Sequence, residues 1–275
     1  MSDKQLAPSQ ARDRWVDHPQ GRIFTRTWQP SSGVAHGAPP GSPIVLFHDS
    51  LGSVELWRSF PAELSAATGR TVIAYDRLGF GKSDPRSGLP SLHFVGEEAT
   101  IYFPALREQL GLQTFVACGH SVGGGMAVHC AAENADRCEA LVTIAAQVFA
   151  EDRTLEGIRA AREQFKDPAQ VQRLAKYHGD KARWVLDAWI DNWLSAGFAS
   201  WTVEAVLPRV TCPALAIHGV NDEYGSVRHA ELIGRLVGGP VRIEILQDTG
   251  HVPQRERPEL VLGLVREFLA SVPAR

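Results

Sequence analysis

The chain has 275 residues, 44% hydrophobic and 21% charged, with a formal net charge of −3 and a pI near 6.4. This is the composition of a soluble globular protein with one large core, and it offers no general attraction to phosphate backbones or anionic lipid; nucleic acid and membrane are excluded in favour of small-molecule partners. Cys118, Cys130, Cys138 and Cys212 lack C-x-x-C spacing and sit in or beside apolar runs; with no apolar signal core at the amino terminus and no run near the roughly 18 residues of a membrane span, buried thiols and a cytoplasmic location are expected.

Residues 1 to about 20 are polar and read as loosely held. Residues 21–28 alternate as an edge strand does, and 31–43, rich in Gly, Pro and Ser, reads as a loop. Apolar runs then alternate with helical patterns. A strand at 44–47 precedes a helix at about 55–67, and one at 71–75 precedes a glycine-rich loop and a helix at about 94–110. A third strand at 114–118 leads into a helix reaching 132, and 140–145 is the fourth. The alternation breaks between about 148 and 207, where charged, Ala-rich, tryptophan-bearing segments predict several helices and no strand. It resumes with a strand at 214–217, a helix near 227–237, a strand at 241–246 and a last helix at about 258–269. The pattern predicts an α/β fold, a mostly parallel sheet with helices on both faces and ligands bound beyond the carboxyl ends of its strands. The expected organisation is a core domain of residues 1–147 and 208–275, with 148–207 inserted as a helical cap.

Gly119-His120-Ser121-Val122-Gly123 lies between the third strand and its helix. A serine at such a sharp turn projects its hydroxyl from the top of the sheet, which makes Ser121 the candidate nucleophile. A serine hydroxyl is weak at neutral pH and needs a base, held in turn by a third group. His251 follows the last strand and is the base of choice among ten histidines. Asp222 follows the preceding strand in His218-Gly-Val-Asn-Asp222 and is the preferred acid, with Asp248, Glu223, Glu151 and Asp152 as competitors. His120, next to the serine, reads as packing or a loop hydrogen bond; His48, His129 and His218 read as strand-end or helix-face residues. The oxyanion formed by attack on a carbonyl calls for preset donors. The backbone amides of Val122 and of Ser50, in the loop after the first core strand, are the candidates.

Taken together, Gly-His-Ser-Val-Gly, Asp76-Arg-Leu-Gly-Phe-Gly-Lys-Ser83, His218-Gly-Val-Asn-Asp222 and Gly250-His251 resemble the α/β-hydrolase superfamily, in its capped branch of esterases, lactonases and carbon–carbon bond hydrolases, from about residue 21 to the carboxyl terminus. The resemblance implies a structural role for Asp76 and Ser83, tying a loop. It departs at His48-Asp49, where that superfamily usually has His-Gly. Aspartate tolerates a left-handed backbone better than most residues, so the turn can survive, with a carboxylate brought near the oxyanion site. Ser50-Leu51-Gly52 is similar to the matching segment of 3-oxoadipate enol-lactonases, whereas Ser121 stands where epoxide hydrolases and haloalkane dehalogenases carry an aspartate nucleophile.

The insertion carries Phe149, Phe165, Trp184, Trp189, Trp193, Phe198 and Trp201, interspersed with Arg153, Arg173, Lys176 and Arg183. Phe149, Trp184, Trp189 and Trp193 are the candidate substrate-binding residues, although each could equally pack the cap onto the core. The sequence thus points to a hydrolase needing no cofactor or metal, cleaving a small carboxylic ester or lactone through an acyl-enzyme. Carbon–carbon bond cleavage, acyl transfer, and a non-catalytic ligand-binding receptor on the same fold are the alternatives, and a homodimer is compatible with the sequence.

Overall fold

The computed structural model describes residues 11–30 and 41–273. Eight strands form one sheet: β1 (Ala11–Val16), β2 (Ile23–Trp28), β3 (Ile44–Phe47), β4 (Val72–Tyr75), β5 (Phe115–His120), β6 (Cys138–Ile144), β7 (Ala214–Gly219) and β8 (Val241–Leu246). Their spatial order is β1-β2-β4-β3-β5-β6-β7-β8. The β1–β2 and β2–β4 pairs are antiparallel, and every later pair is parallel. The sequence places residues 21–28 at the sheet edge; in the structure β1 pairs outside them, so residues 11–16, expected to be loosely held, form the edge strand. Four of its six residues are charged or a tryptophan exposed at 40%, a polar edge strand that carries little apolar signal. The expected loop at 31–43 lies mostly outside the described residues.

Helices cover both faces because the central strands are apolar on both sides. Ile44 and Leu46 of β3 point into one cluster, with α1 (Phe60–Thr68) and α10 (Pro258–Ser271). Val45 and Phe47 point into the other, with α3 (Phe103–Leu110), α4 (Val122–Glu133) and α8 (Arg228–Leu236). The helix expected at 94–110 is interrupted: α2 (Phe94–Glu97) widens into a π-turn over Glu98–Tyr102 before α3. Pro104 has no N–H to return to Thr100, and the buried Glu98 side chain inside the widened turn accepts a 2.6 Å hydrogen bond from Tyr75 Oη.

Between β6 and β7 the chain forms α5 (Asp152–Gln164), α6 (Pro168–His178) and α7 (Ala182–Trp193), with a single bridge pairing Phe149 with Thr202 at its base. From β3 the sheet is extended outward to β4 and then back to β5. The carboxyl ends of β3 and β5 therefore flank the point where the winding reverses, the position at which open α/β sheets leave a crevice.

Candidate active site

His120 closes β5, Val122 opens α4, and Ser121 alone makes the turn, at φ 58° and ψ −129°. A side chain in this region carries about 1–3 kcal/mol of strain that the surroundings must hold. The flanking glycines show how they do. A Cβ on Gly123 would stand 2.2 Å from the Phe47 carbonyl oxygen, and one on Gly119 2.1 Å from that of Gly123. Only glycine lets α4 dock on β3 and β5 turn so tightly. Ser121 N donates to Ile144 O at 3.1 Å and Ser121 O accepts from Gly124 N and Gln147 N, which leaves the hydroxyl as the group turned toward the cavity.

His251 arrives on the loop between β8 and α9 (Pro253–Glu256), with Nε2 3.0 Å from Ser121 Oγ and Nδ1 2.8 and 2.9 Å from the two Asp222 carboxylate oxygens. Asp222, 1% exposed, also accepts from the amides of Tyr224 and Gly225 at 2.8 and 3.0 Å and lies 3.3 Å from His218 Nε2. Burial alone would raise the Asp222 carboxyl, but the hydrogen bonds from His218 and His251 hold it well below the usual carboxylate range. Burial works against charge on His251, yet the Asp222 hydrogen bond and charge outweigh it and set the imidazole above its ordinary value. With Nδ1–H committed to Asp222, Nε2 is the nitrogen free to accept the serine proton.

The competing acids are engaged elsewhere or exposed. Glu151 accepts from Ser226 N and Oγ and faces His229 Nε2 at 3.1 Å, while Asp152, Glu223 and Asp248 are exposed. Glu151, Arg153 and Thr154, at the start of α5, all bind the Asp222 loop, the last two donating to Asp222 O at 3.0 Å and Tyr224 O at 2.5 Å. The inserted helices thereby fix the acid.

The amides of Val122 and Ser50 have no hydrogen-bond acceptor among the described residues, and Ser50 lines the same cavity as Ser121. Asp49 does not adopt the left-handed backbone expected of it. Its Oδ1 instead accepts from Leu51 N at 2.9 Å, its carbonyl from Arg77 Nη2 at 2.8 Å, and its Oδ2 lies 3.3 Å from His120 Nδ1. The other nitrogen of His120 stands 2.8 Å from the His251 carbonyl oxygen. Both partners of that ring are acceptors, and the ring bridges the loop of Asp49 to the loop of His251. The Asp49 charge near the oxyanion site is thus countered: burial would raise the carboxyl, but the His120 hydrogen bond and charge hold it well below its ordinary range.

The cavity in front of Ser121 has a volume of about 350 Å³. Of the four aromatic residues expected to meet substrate, Trp189 lines it and the other three do not. Trp184 packs edge-on against Phe80 at 5.5 Å and covers Gly79, where a Cβ would stand 2.4 Å from its ring. Trp193, 1% exposed, packs with Phe198 and Trp201. Phe149 stacks on His229 at 4.1 Å at the base of the insertion. Trp184 and Trp193 pack inward with the aromatic stripe of α7, and a stripe of this kind does not reveal which member reaches the cavity.

Sequence reasoning missed Gln147, whose Oε1 lies 3.3 Å from Ser121 Oγ, Tyr224, whose ring lies 5.0 Å from that of His251, and the contact of His218 with Asp222. Position could have found them: Gln147 follows the carboxyl end of β6 and Tyr224 sits two residues past Asp222, where such sheets gather their chemistry. Asp76 accepts from Val54 N and Lys82 N at 2.6 and 2.7 Å, and Ser83 Oγ donates to Asp76 O at 2.6 Å, tying the loop after β4. Among the described residues there is no cluster of His, Cys, Asp and Glu that could hold a metal ion, and no helix long and apolar enough to cross a membrane.

Residues 42–183 match the family described as alpha/beta hydrolase fold. The chain is 30% identical over 132 residues to a human (Lyso)-N-acylphosphatidylethanolamine lipase, a match covering 48% of this chain and 36% of that protein. The chain thus spans about a third of the length of the curated relatives it matches. Among solved structures, 2-hydroxy-6-oxo-6-phenylhexa-2,4-dienoate hydrolase from Rhodococcus superposes with a TM-score of 0.79 at 16% identity, covering 96% of this chain and 100% of that one. The enol-lactonase from Burkholderia xenovorans does so with a TM-score of 0.70 at 20% identity, covering 94% and 100%.

Proposed function

This chain belongs to the alpha/beta hydrolase fold family, and from that premise we propose that it is a serine hydrolase cleaving small carboxylic esters or lactones through an acyl-enzyme. The observation that carries the reading is the hydrogen-bonded run from Ser121 Oγ through His251 to Asp222, at 3.0 and 2.8 Å. Ser121 Oγ attacks the carbonyl carbon as its proton passes to His251 Nε2, and Asp222 steadies the imidazolium that results. The amides of Val122 and Ser50 receive the developing oxyanion, each such donor being worth about 10²–10³-fold in rate. His251 returns the proton to the leaving alcohol; a water, deprotonated by the same nitrogen, then releases the acid.

Residues 148–207 act in this reading as the cap, shaping the acyl site with Trp189, Phe165 and Leu174 and limiting access of water. Solved structures of the same fold include an enol-lactonase and a hydrolase of a dienoate, and a lactone therefore stands beside the open-chain ester as a substrate class.

Replacing Ser121 with alanine is expected to lower turnover of a small aryl ester by about 10³–10⁶-fold, with the melting temperature held near its native value because alanine keeps the Cβ and the backbone shape. Labelling of the native protein, and not of Ser121→Ala, by a fluorophosphonate is the companion measurement. Turnover that survives the substitution would remove Ser121 from the mechanism.

A further inference from the structure

The cavity that holds Ser121 presents mostly apolar surface, yet Arg173 of α6 and Arg255 of α9, both exposed residues, also line it. Among the described residues neither guanidinium has a carboxylate partner within ion-pair distance. Arg173 Nη1 reaches only Gln170 Oε1, at 3.4 Å, and Arg255 Nη2 donates to the Leu56 carbonyl. Both are neutral acceptors that leave most of each fork's donors unspent.

The negative charges nearby are each held by other partners or exposed, and of them the Asp49 charge acts on Arg255 through space without forming an ion pair. Asp49 lines the same cavity, but its carboxylate faces His120 Nδ1 at 3.3 Å and accepts from Leu51 N. Asp222 is spent on His251. Glu256 lies behind the His251 loop, where it accepts from Gly250 N and Val252 N at 2.6 and 3.0 Å, and neither it nor the exposed Glu223 lines the cavity. Arg58, also felt by Arg255, adds a further positive charge on that side. The cavity thus presents mainly apolar surface and two guanidiniums without an ion-pair partner among the described residues, one from α6 and one from α9.

Resting on the ester reading above, we infer that the substrate carries an anionic group, held by Arg173 and Arg255 while its ester carbonyl meets Ser121. With a neutral acyl chain the guanidiniums of these two exposed residues stay with solvent, whereas a carboxylate or phosphonate in the cavity accepts bidentate, charge-assisted hydrogen bonds from both.

The test compares p-nitrophenyl esters of equal chain length that end in a methyl group, a carboxylate or a phosphonate. The expected result is a kcat/KM at least about tenfold higher for an anionic ester than for the neutral one, carried by KM and weakened by added salt. That ratio should collapse toward one in both Arg173→Gln and Arg255→Gln, and whichever anion gains more identifies the group. Equal kcat/KM for neutral and anionic esters overturns the inference while leaving the hydrolase reading intact. If no ester is turned over, the ester reading fails, and calorimetric binding of the same three compounds to Ser121→Ala decides the inference separately: tighter binding of an anion supports it, and equal binding overturns it.

Discussion

Two histidine–carboxylate pairs stand side by side at the top of this sheet, their imidazole rings 5.2 Å apart, and they differ in what the second nitrogen meets. In Asp222–His251 one nitrogen faces the carboxylate and the other the serine hydroxyl at 3.0 Å, a group with a proton to give. In Asp49–His120 one nitrogen faces the carboxylate and the other a carbonyl oxygen at 2.8 Å, which can only accept. The first arrangement suits a base, as proposed for His251, and the second a clamp. A carboxylate beside a histidine does not assign the role; the partner of the far nitrogen does. The clamp joins the loop bearing the Ser50 amide to the loop bearing His251.

The largest effect that separates the pairs is on turnover. Asp222→Asn presents an amide that can satisfy His251 Nδ1 only by accepting, while its NH₂ donors compete to turn the ring or its tautomer, and kcat for a small ester is expected to fall about 10⁴-fold. Asp49→Asn leaves His251 its own carboxylate and disturbs only its backbone neighbour, so the loss should stay under about 10²-fold, the scale of a small misplacement. Steady-state kinetics of the two variants on one substrate make the comparison. Equal losses would mean that the clamp is as much a part of the chemistry as the triad.

A smaller contrast lies in the inserted helices. Trp189→Ala is expected to raise KM about tenfold by opening the cavity wall, and Trp184→Ala to leave KM near its native value while costing about 3 kcal/mol of stability through lost contact with Phe80 and Gly79. Urea denaturation read beside KM separates the two. The contrast also marks where the sequence stops being legible. Ser121, Asp222 and His251 could be placed because each follows an apolar strand run, and a strand end fixes both position and direction. The role of Trp189 could not, since Trp184, Trp189 and Trp193 lie on one short helix and rotation of that helix decides which reaches the cavity. The edge strand at Ala11–Val16 was hidden for a related reason: a strand whose side chains face solvent carries no apolar alternation to read. Asp49 was legible as a departure, but its pairing with His120 depends on contacts between loops far apart in the chain.

The smallest expected effect is also the most specific to the pair. His251 acts as a base only when neutral, so kcat/KM must fall as pH drops through its pKa, and because Asp222 sets that pKa above the ordinary 6.5 the acid limb should turn down above pH 6.5. Asp49 adds to the same shift, its charge being among those that favour the His251 imidazolium. Removing that charge in Asp49→Asn withdraws one of the contributions that hold the His251 pKa up. The His251 pKa should therefore fall, and the acid limb should move to lower pH by about half a unit. A merely structural role for Asp49 would lower the plateau and leave the inflection in place. The pH profile of kcat/KM for the variant against the native protein distinguishes these outcomes, and an inflection that moved to higher pH would contradict the electrostatic account of the clamp.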